Sequence, residues 1–234
     1  MGSVFGRESV EEPSYTVVLE RTSVPTPYEI RKYGERIAIE TEYGGDKEDG
    51  SPFMALAGYI GVMGKPQNEG QESIAMTAPV VIEGDQPSNK KDESGKGEAI
   101  AMTAPVVKSE SSDGKKTMQF MLPASFDSVD KAPKPINPSV RVKAVPAAMG
   151  VVHRYNGGYS DERNREIAAT VAKQLTEDGV SMTEDEIMNK YQFWGYNPPF
   201  TIPYFRRNEV WVPLSKADVD RLVGNFGESG SGMN

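Results

Sequence analysis

Residues 28–33 and 36–41 alternate apolar and polar positions on either side of Gly34. Alternation with a period of two is typical of half-buried strands. The pattern therefore predicts an antiparallel strand pair that turns at Gly34, or one bulged strand. Pro25 and Pro27 come just before it and mark its start.

A helix is predicted after these strands. Ser51 offers an N-cap and Pro52 suits the first helical position. Gly64, which stands ahead of Pro66, is the expected end of the helix. Residues at spacings of three and four form one apolar face of this helix, namely Phe53, Leu56, Ala57, Ile60 and Met63.

Two glycines, Gly58 and Gly61, fall inside the predicted helix. A glycine in a helix interior costs about 1 kcal/mol relative to alanine, so we expect something to pack closely against the helix backbone. A strand and a flat ligand are the two candidates. The apolar face has two interpretations as well, an ordinary core face or the wall of a groove.

An eight-residue segment occurs twice, as IAMTAPVV at 74–81 and again at 100–107. Each copy is predicted to be a strand. One sheet position cannot hold both copies, so the other one would lengthen a hairpin or lie outside the sheet. The spacers 83–98 and 108–116 are rich in polar residues and glycine and are predicted to be flexible loops.

The second half repeats the order of the first. Strands are predicted at 140–145 and 150–155, followed by a helix that Ser160 caps and Gly179 ends. Strand, strand, helix, strand, strand thus occurs twice, which predicts an α+β fold whose two similar halves pair their sheets. The remaining predicted elements are a strand at 117–123, a capping box at 183–186, strands at 191–196 and 209–214, and an amphipathic helix after Ser215.

The composition is that of an ordinary globular chain. Of 234 residues 37% are apolar and 26% are charged, and 26 Lys and Arg against 34 Asp and Glu give a net charge of −8. A negative field repels polyanions, so nucleic acid is not expected as a partner. With no apolar run long enough to span a bilayer and no targeting signal in the acidic first dozen residues, we expect a cytoplasmic protein without membrane insertion.

The chain contains no cysteine and a single histidine, His153. This excludes disulfides, thiolate metal sites and cysteine nucleophiles, and it leaves few groups for acid-base catalysis. We therefore do not expect an enzyme. His153 is interpreted as a polar residue at a strand edge rather than an iron ligand, because it lies far in sequence from the first helix.

Several motifs together resemble the SOUL haem-binding protein family. The resemblance runs from about 4 to 214 in family order, and the first six residues and the repeated strand look like the cytosolic plant and green-alga type of that family. The motifs that carry it are YEIR at 28–31, the two IAMTAPV segments, MQFMLP at 118–123, YNPP at 196–199 and RNEVW at 207–211.

The resemblance implies a distorted antiparallel β-barrel built from two pseudo-symmetric β-α-β-β halves, with two main helices packed on it. The short C-terminal helix predicted after Ser215 lies outside the resemblance and is added to this fold. Residues 1–226 would form this single domain and 227–234 a flexible tail. The resemblance also implies that haem b or another tetrapyrrole is held in a shallow apolar groove along the first helix, without a strong axial ligand and with no metal site in the protein itself.

The residues that would hold the tetrapyrrole follow from this resemblance. Animal members of the family carry basic residues on the first helix, where this chain has Gly50 and Gly58. The expected groove wall is the apolar face of that helix, and the expected cations for the propionates are nearby substitutes. The predicted site is Phe53, Leu56, Ala57, Ile60, Met63, Lys65, Arg206 and Arg207.

Two functions from different classes remain open at this point. The first is a tetrapyrrole carrier or buffer. The second is a protein-interaction module that uses the groove or the C-terminal helix, with incidental haem affinity. In either case the expected partners are a tetrapyrrole and proteins of haem metabolism or other proteins.

Overall fold

The computed structural model describes residues 10–43, 52–62, 64–78, 80–83, 116–158, 160–197 and 202–227. Three sequence predictions lie wholly or mostly outside these ranges: the second copy of the repeat, the two spacers and the tail. Met63, from the predicted apolar face, also lies outside them. The assignment of 1–226 to one domain stays a prediction.

The described residues form nine strands and four α-helices. The strands are β1 (Tyr15–Arg21), β2 (Tyr28–Tyr33), β3 (Arg36–Tyr43), β4 (Val80–Glu83), β5 (Lys116–Met121), β6 (Val140–Val145), β7 (Ala148–Tyr155), β8 (Gln192–Gly195) and β9 (Asn208–Pro213). The helices are α1 (Pro52–Ile60), α2 (Asp161–Glu177), α3 (Glu184–Met188) and α4 (Lys216–Phe226). The predicted α+β class is confirmed.

The strands form one antiparallel sheet in the order β1-β2-β7-β9-β8-β4-β5-β3-β6. If β1 is left out, this order is symmetric about its centre. Each strand lies as far from one end of the sheet as its counterpart lies from the other end, and the counterparts are β2 and β6, β3 and β7, β4 and β8, and β5 and β9. The two predicted halves therefore occupy corresponding places in the sheet. Among the described residues β1 and β6 are edge strands that do not pair with each other, so a closed barrel is not seen.

The predicted pairing of the first two strands with each other is wrong. β2 pairs with β1 and β7, whereas β3 pairs with β5 and β6. Only residues 34–35 separate β2 from β3, and only 146–147 separate β6 from β7. Because these two short links join opposite ends of the strand order, the sheet must bend back on itself at this corner.

The first copy of the repeat takes the sheet position, but only its end is a strand. β4 begins at Val80 and pairs with β5 and β8. Upstream, Ile74 is buried and donates its backbone N–H to the Ile60 carbonyl at 3.0 Å. Thr77 Oγ1 donates to the Met121 carbonyl at 2.6 Å. The segment before Val80 is thus anchored through α1 and β5 rather than by a continuous ladder.

Two hydrophobic cores are formed, and neighbouring residues of the central strands contribute to different ones. Val152 of β7 and Trp211 of β9 belong to the first core, which also contains α1. Val151 and Val212 belong to the second core, which contains the apolar faces of α2 and α4. The C-terminal helix therefore packs on the sheet, and its apolar face is not available to a partner.

The helix caps agree closely with their sequence signals. The side chains of Ser160, Thr183 and Ser215 accept hydrogen bonds from backbone N–H groups three residues later, as N-cap residues do. Thr183 and Glu186 form the complete predicted capping box. No helix of the described residues has the length and apolar character needed to cross a bilayer.

Candidate functional site

The apolar face of α1 points into the first core. Phe53 is 3% exposed, Leu56 and Ala57 are 0% exposed and Ile60 is 2% exposed. The Phe53 ring lies 5.5 Å from the Phe120 ring of β5. In this conformation these side chains cannot contact a ligand on the outer surface, so the interpretation as a core face describes them.

The close contacts at the two glycines of α1 come from the chain itself. A Cβ atom on Gly58 would lie 3.2 Å from the Gln67 side chain. Gly61 has φ +84°, and a Cβ atom there would lie 2.6 Å from Pro66. The turn after the helix, rather than the expected strand or flat ligand, therefore packs against the backbone of α1. The helix also ends at Ile60 rather than at the predicted Gly64, because Gly61 takes a left-handed conformation.

The outer side of α1 is apolar and carries no charge. None of its nine residues carries a charge at neutral pH. Met54 is 42% exposed, and Val62, two residues beyond the helix, is 45% exposed. Lys65 is exposed in the same turn. Two exposed apolar side chains, Met54 and Val62, and one exposed cation, Lys65, thus lie on α1 and the turn after it.

Arg207 is held by two carboxylates. Its Nε donates to Glu209 Oε1 at 2.8 Å, and its Nη1 donates to Glu12 Oε1 at 2.9 Å. The guanidinium also lies 3.7 Å from the centre of the Tyr196 ring. Burial lowers the pKa of Arg207, but Glu209, Tyr196 and Glu12 together outweigh this and leave the pKa raised. Its charge is therefore already balanced within the fold.

Glu209 is the centre of a buried polar network that the sequence did not reveal. It is 0% exposed and accepts hydrogen bonds from Arg31 Nη1 at 2.8 Å and from the Tyr196 hydroxyl at 2.7 Å. Arg31 is 2% exposed and is paired with Glu29 as well. Desolvation raises the pKa of Tyr196 well above its usual value, with a further contribution from Glu209. This network joins β2 to β9 and is structural.

Next to Arg206 lies the most exposed apolar patch among the described residues. It consists of Ile202, Tyr204 and Phe205, which are 58%, 74% and 65% exposed. Tyr204 and Phe205 lie on a short 3-10 helix, Pro203–Phe205, with their rings 5.3 Å apart. Arg206 itself is half-buried. The sequence signal for this patch was the run of large apolar residues between two strands.

His153 is separated from α1. It lies on β7, which is an inner strand rather than the expected edge strand. His153 alternates with Val152, so it lies on the face of the second core, whereas α1 belongs to the first. Its Nδ1 is 2.6 Å from the Pro27 carbonyl oxygen. Within the described ranges no group of His, Asp and Glu is arranged to hold a metal ion.

The two tryptophans pack in the first core. The Trp194 and Trp211 rings are stacked with their centres 5.0 Å apart. Both lie against Tyr33, at 5.3 and 5.4 Å between ring centres. They are 2% and 3% exposed, so they are packing residues of the sheet rather than an open ligand surface.

A comparison with protein-family models finds a match over most of the chain. The model of the SOUL heme-binding protein family matches residues 10–95 and 88–213. The two matches together span most of the chain and include α1, α2, α3 and the nine strands described above. The chain belongs to the SOUL heme-binding protein family.

Two curated relatives are similar over most of their length. Heme-binding protein 2 of Homo sapiens is 28% identical over 210 residues, which cover 88% of this chain and 86% of that protein. Heme-binding protein 2 of Mus musculus is 26% identical over the same shares.

Similar solved structures are more distant. The EcmrR C-terminal domain has a TM-score of 0.48 at 13% identity and covers 85% of this chain and 99% of that chain. A hydrolase from Listeria innocua has a TM-score of 0.44 at 10% identity and covers 80% of this chain and 91% of that chain. Similarities at this level carry no functional conclusion for this chain.

Proposed function

We propose that this protein binds haem b or a related tetrapyrrole on the surface of α1 and the turn after it, as a carrier or buffer and not as an enzyme. The observation that supports the ligand is the match of the SOUL heme-binding protein model to residues 10–95 and 88–213. The similarity to two heme-binding proteins over 88% of the chain supports it further.

The chemistry of α1 supports the location. A porphyrin is a broad apolar disc with two anionic propionates, so its site needs an apolar surface with a cation at one edge. Met54 and Val62 are exposed and apolar, and Lys65 is an exposed cation in the same turn. In this proposal Met54 and Val62 contact the macrocycle and Lys65 contacts a propionate.

The predicted wall has an indirect part in this proposal. Phe53, Leu56, Ala57 and Ile60 hold α1 on the sheet, so they fix the surface that the ligand contacts. Of the two predicted arginines, Arg207 is paired with Glu12 and Glu209. This proposal therefore assigns the propionate contact to Lys65 alone.

Weak axial ligation is consistent with the side chains at α1. Tyr59 is 0% exposed and its hydroxyl donates to the Pro133 carbonyl at 2.6 Å, so it is not available to iron. His153 belongs to the second-core face of β7. The Met54 thioether is the exposed sulfur of α1, and methionine is adaptable in shape as well. Reversible uptake through surface contacts suits a carrier or buffer.

The test is a titration of the purified protein with hemin, followed by Soret absorbance. The Met54→Asp/Val62→Asp double variant changes the proposed surface, and the Val18→Asp variant on β1 is a matched control, because Val18 is also exposed, at 37%. A charge at Ile60 is not informative, because that side chain lies in the core. We expect saturation near one equivalent for the parent and the control, and loss of saturation for the double variant.

The dimethyl ester of hemin tests the charged edge. A charge-assisted hydrogen bond contributes about 1.5–3 kcal/mol, which is one to two orders of magnitude in affinity. Lys65→Met should weaken hemin binding about tenfold or more and leave binding of the ester unchanged. Equal effects on hemin and ester would contradict the role of Lys65.

A second candidate function, a protein-interaction module, is favoured by the exposed 202–205 segment. It predicts hemin uptake that does not saturate and is the same in all variants. A Tyr204→Ala/Phe205→Ala variant separates the two surfaces. If it loses saturable hemin binding while the α1 variant keeps it, the location on α1 is wrong.

A further inference from the structure

A cleft of about 340 Å³ opens at the corner where the sheet bends back. It lies at the end of β2, the start of β7 and the end of β9. Most of its lining is apolar: Tyr33, Ala147, Ala148, Met149, Pro213 and Leu214. Tyr33 and Ala148 pack with the first core and Met149 and Leu214 with the second, so the cleft lies where the two cores meet.

The charged side chain that lines this cleft is Lys32. It is exposed, and no carboxylate of the described residues forms an ion pair with it. A primary ammonium at the rim of an apolar cleft favours a ligand with an apolar body and one anionic end. Neighbouring strand residues do not compensate this charge, since Lys32 pairs in register with Thr16 and Met149.

A second positive charge lies behind Tyr33. The guanidinium carbon of Arg36 is 4.7 Å from the centre of the Tyr33 ring. Its Nε and Nη1 atoms are buried, and no described group accepts a hydrogen bond from them. Desolvation lowers the pKa of Arg36, yet an arginine stays charged at neutral pH. Lys32 and Arg36 thus bring two positive charges to this corner, which also carries the exposed Glu35 carboxylate.

The size of the cleft limits the ligand. Small-molecule sites span about 300–1,000 Å³, and 340 Å³ is at the lower end of this range. A porphyrin macrocycle is too broad for it, whereas a medium-length aliphatic chain or a single aromatic ring fits. The cleft is also distinct from α1 in its residues.

We propose that this cleft binds an apolar monocarboxylic acid, with the apolar body between Ala148, Met149 and Pro213 and the carboxylate at Lys32. The uncompensated charge of Arg36 adds to the attraction through Tyr33. This site is separate from the tetrapyrrole surface, and it does not depend on the proposed haem function.

Decanoate is the probe, with decanol as its neutral analogue and decyltrimethylammonium as its cationic analogue. The binding assays are calorimetry and tryptophan fluorescence. The chain has only two tryptophans, and both rings lie within 5.4 Å of Tyr33, so a ligand that moves Tyr33 changes their emission. We expect saturable decanoate binding, with decanol at least tenfold weaker and no binding of the cation.

Three variants locate the site. Lys32→Met keeps the apolar stem and should weaken decanoate about tenfold or more, since it removes a charge-assisted hydrogen bond, while decanol binding is unchanged. Ala147→Phe should block both ligands by filling the cleft. Lys173→Met on α2 is the matched control, because it removes the same charge from an exposed position outside the cleft, and it should leave decanoate affinity within twofold of the parent.

The proposal is overturned if the folded parent protein shows no saturable decanoate binding. It is also overturned if decanol binds as tightly as decanoate, or if Lys32→Met and Lys173→Met have equal effects. The Met54→Asp/Val62→Asp variant should lose hemin binding and keep decanoate binding if the two sites are separate. Failure of the tetrapyrrole proposal can therefore be distinguished from failure of the decanoate proposal.

Discussion

Removing the charge of Glu209 should destabilise the fold more than any surface change. Glu209→Gln keeps the size of the side chain but leaves Arg31, which is 2% exposed, without its buried carboxylate partner. Arg207 loses one of its two carboxylates by the same change. The glutamine NH₂ group would also face arginine donors that need an acceptor.

The size of the effect follows from this geometry. Removing one member of a buried ion pair costs about 3–5 kcal/mol. Arg31 keeps Glu29 and Arg207 keeps Glu12, so the lower end, about 3 kcal/mol, is expected. For a chain of this size about 1 kcal/mol corresponds to about 2–4 °C in Tm. The expected fall in Tm is therefore about 6–12 °C.

Urea unfolding and thermal melts of four variants measure this effect. Glu166→Gln, at an exposed position on α2, is the matched control and should stay within about 0.5 kcal/mol of the parent. Arg31→Met and the Arg31→Met/Glu209→Gln double variant complete a cycle, in which the double variant should cost less than the sum of the two single variants. Glu209→Gln within about 1 kcal/mol of the parent, or strict additivity, would refute the network as a coupled unit.

Three further predictions concern single positions. Gly150→Ala should lower the free energy of unfolding by about 1–3 kcal/mol, because the new Cβ would lie 2.6 Å from a Trp211 ring carbon. Gly158→Ala, whose new Cβ would have no atom within 4 Å, should be nearly neutral in the same unfolding assay. Equal effects of the two changes would contradict the packing argument. Arg36→Met should be neutral or raise Tm, because unsatisfied buried polar groups cost about 1–3 kcal/mol; a large loss of stability would show that Arg36 has an essential partner. Burial alone would raise the pKa of Asp218, but hydrogen bonds from Ser215 and Ser181 leave the pKa lowered. The contribution of Asp218 to the stability of the fold is therefore fully present above its unfolded pKa of about 3.9, and it is lost as the pH falls through the folded pKa. The stability difference between the parent and Asp218→Asn should therefore shrink below about pH 4, and a difference that does not vary with pH would contradict this assignment.

The parts of the fold that depend on residues close in sequence, namely the helix caps and helix faces, could be predicted from local sequence signals. The caps at Ser160, Thr183 and Ser215 lie as expected, because an N-cap bond joins residues only three apart. The helix faces were also predicted, since the spacing of apolar residues defines them. The missed strand β1 has a mostly exposed pattern with one buried residue, so it gives no alternation to detect.

Long-range pairing could not be predicted in the same way. β2 and β3 are separated by two residues, which suggested a hairpin, but each strand finds its partners elsewhere in the sheet. Only the whole strand order shows that this link is a corner. The pairing of Arg207 with Glu12 likewise joins residues 195 positions apart, and no local pattern indicates it.

The apolar face of α1 shows a limit of periodicity for site prediction. The pattern correctly indicated that Phe53, Leu56, Ala57 and Ile60 share one face, but core faces and groove walls have the same spacing. Burial against β5 decides between them. The exposed side of the helix, with Met54, is uncharged, and sequence alone gave no reason to choose this side.

The measurement that tests the central claim most directly is an amide NMR titration of ¹⁵N-labelled protein with zinc protoporphyrin, a diamagnetic analogue of haem. We predict saturable shifts near one equivalent that cluster at 52–62 and 64–67 and disappear in the Met54→Asp/Val62→Asp variant. Shifts centred on 202–207, or no saturable shifts at all, would contradict a tetrapyrrole site on α1.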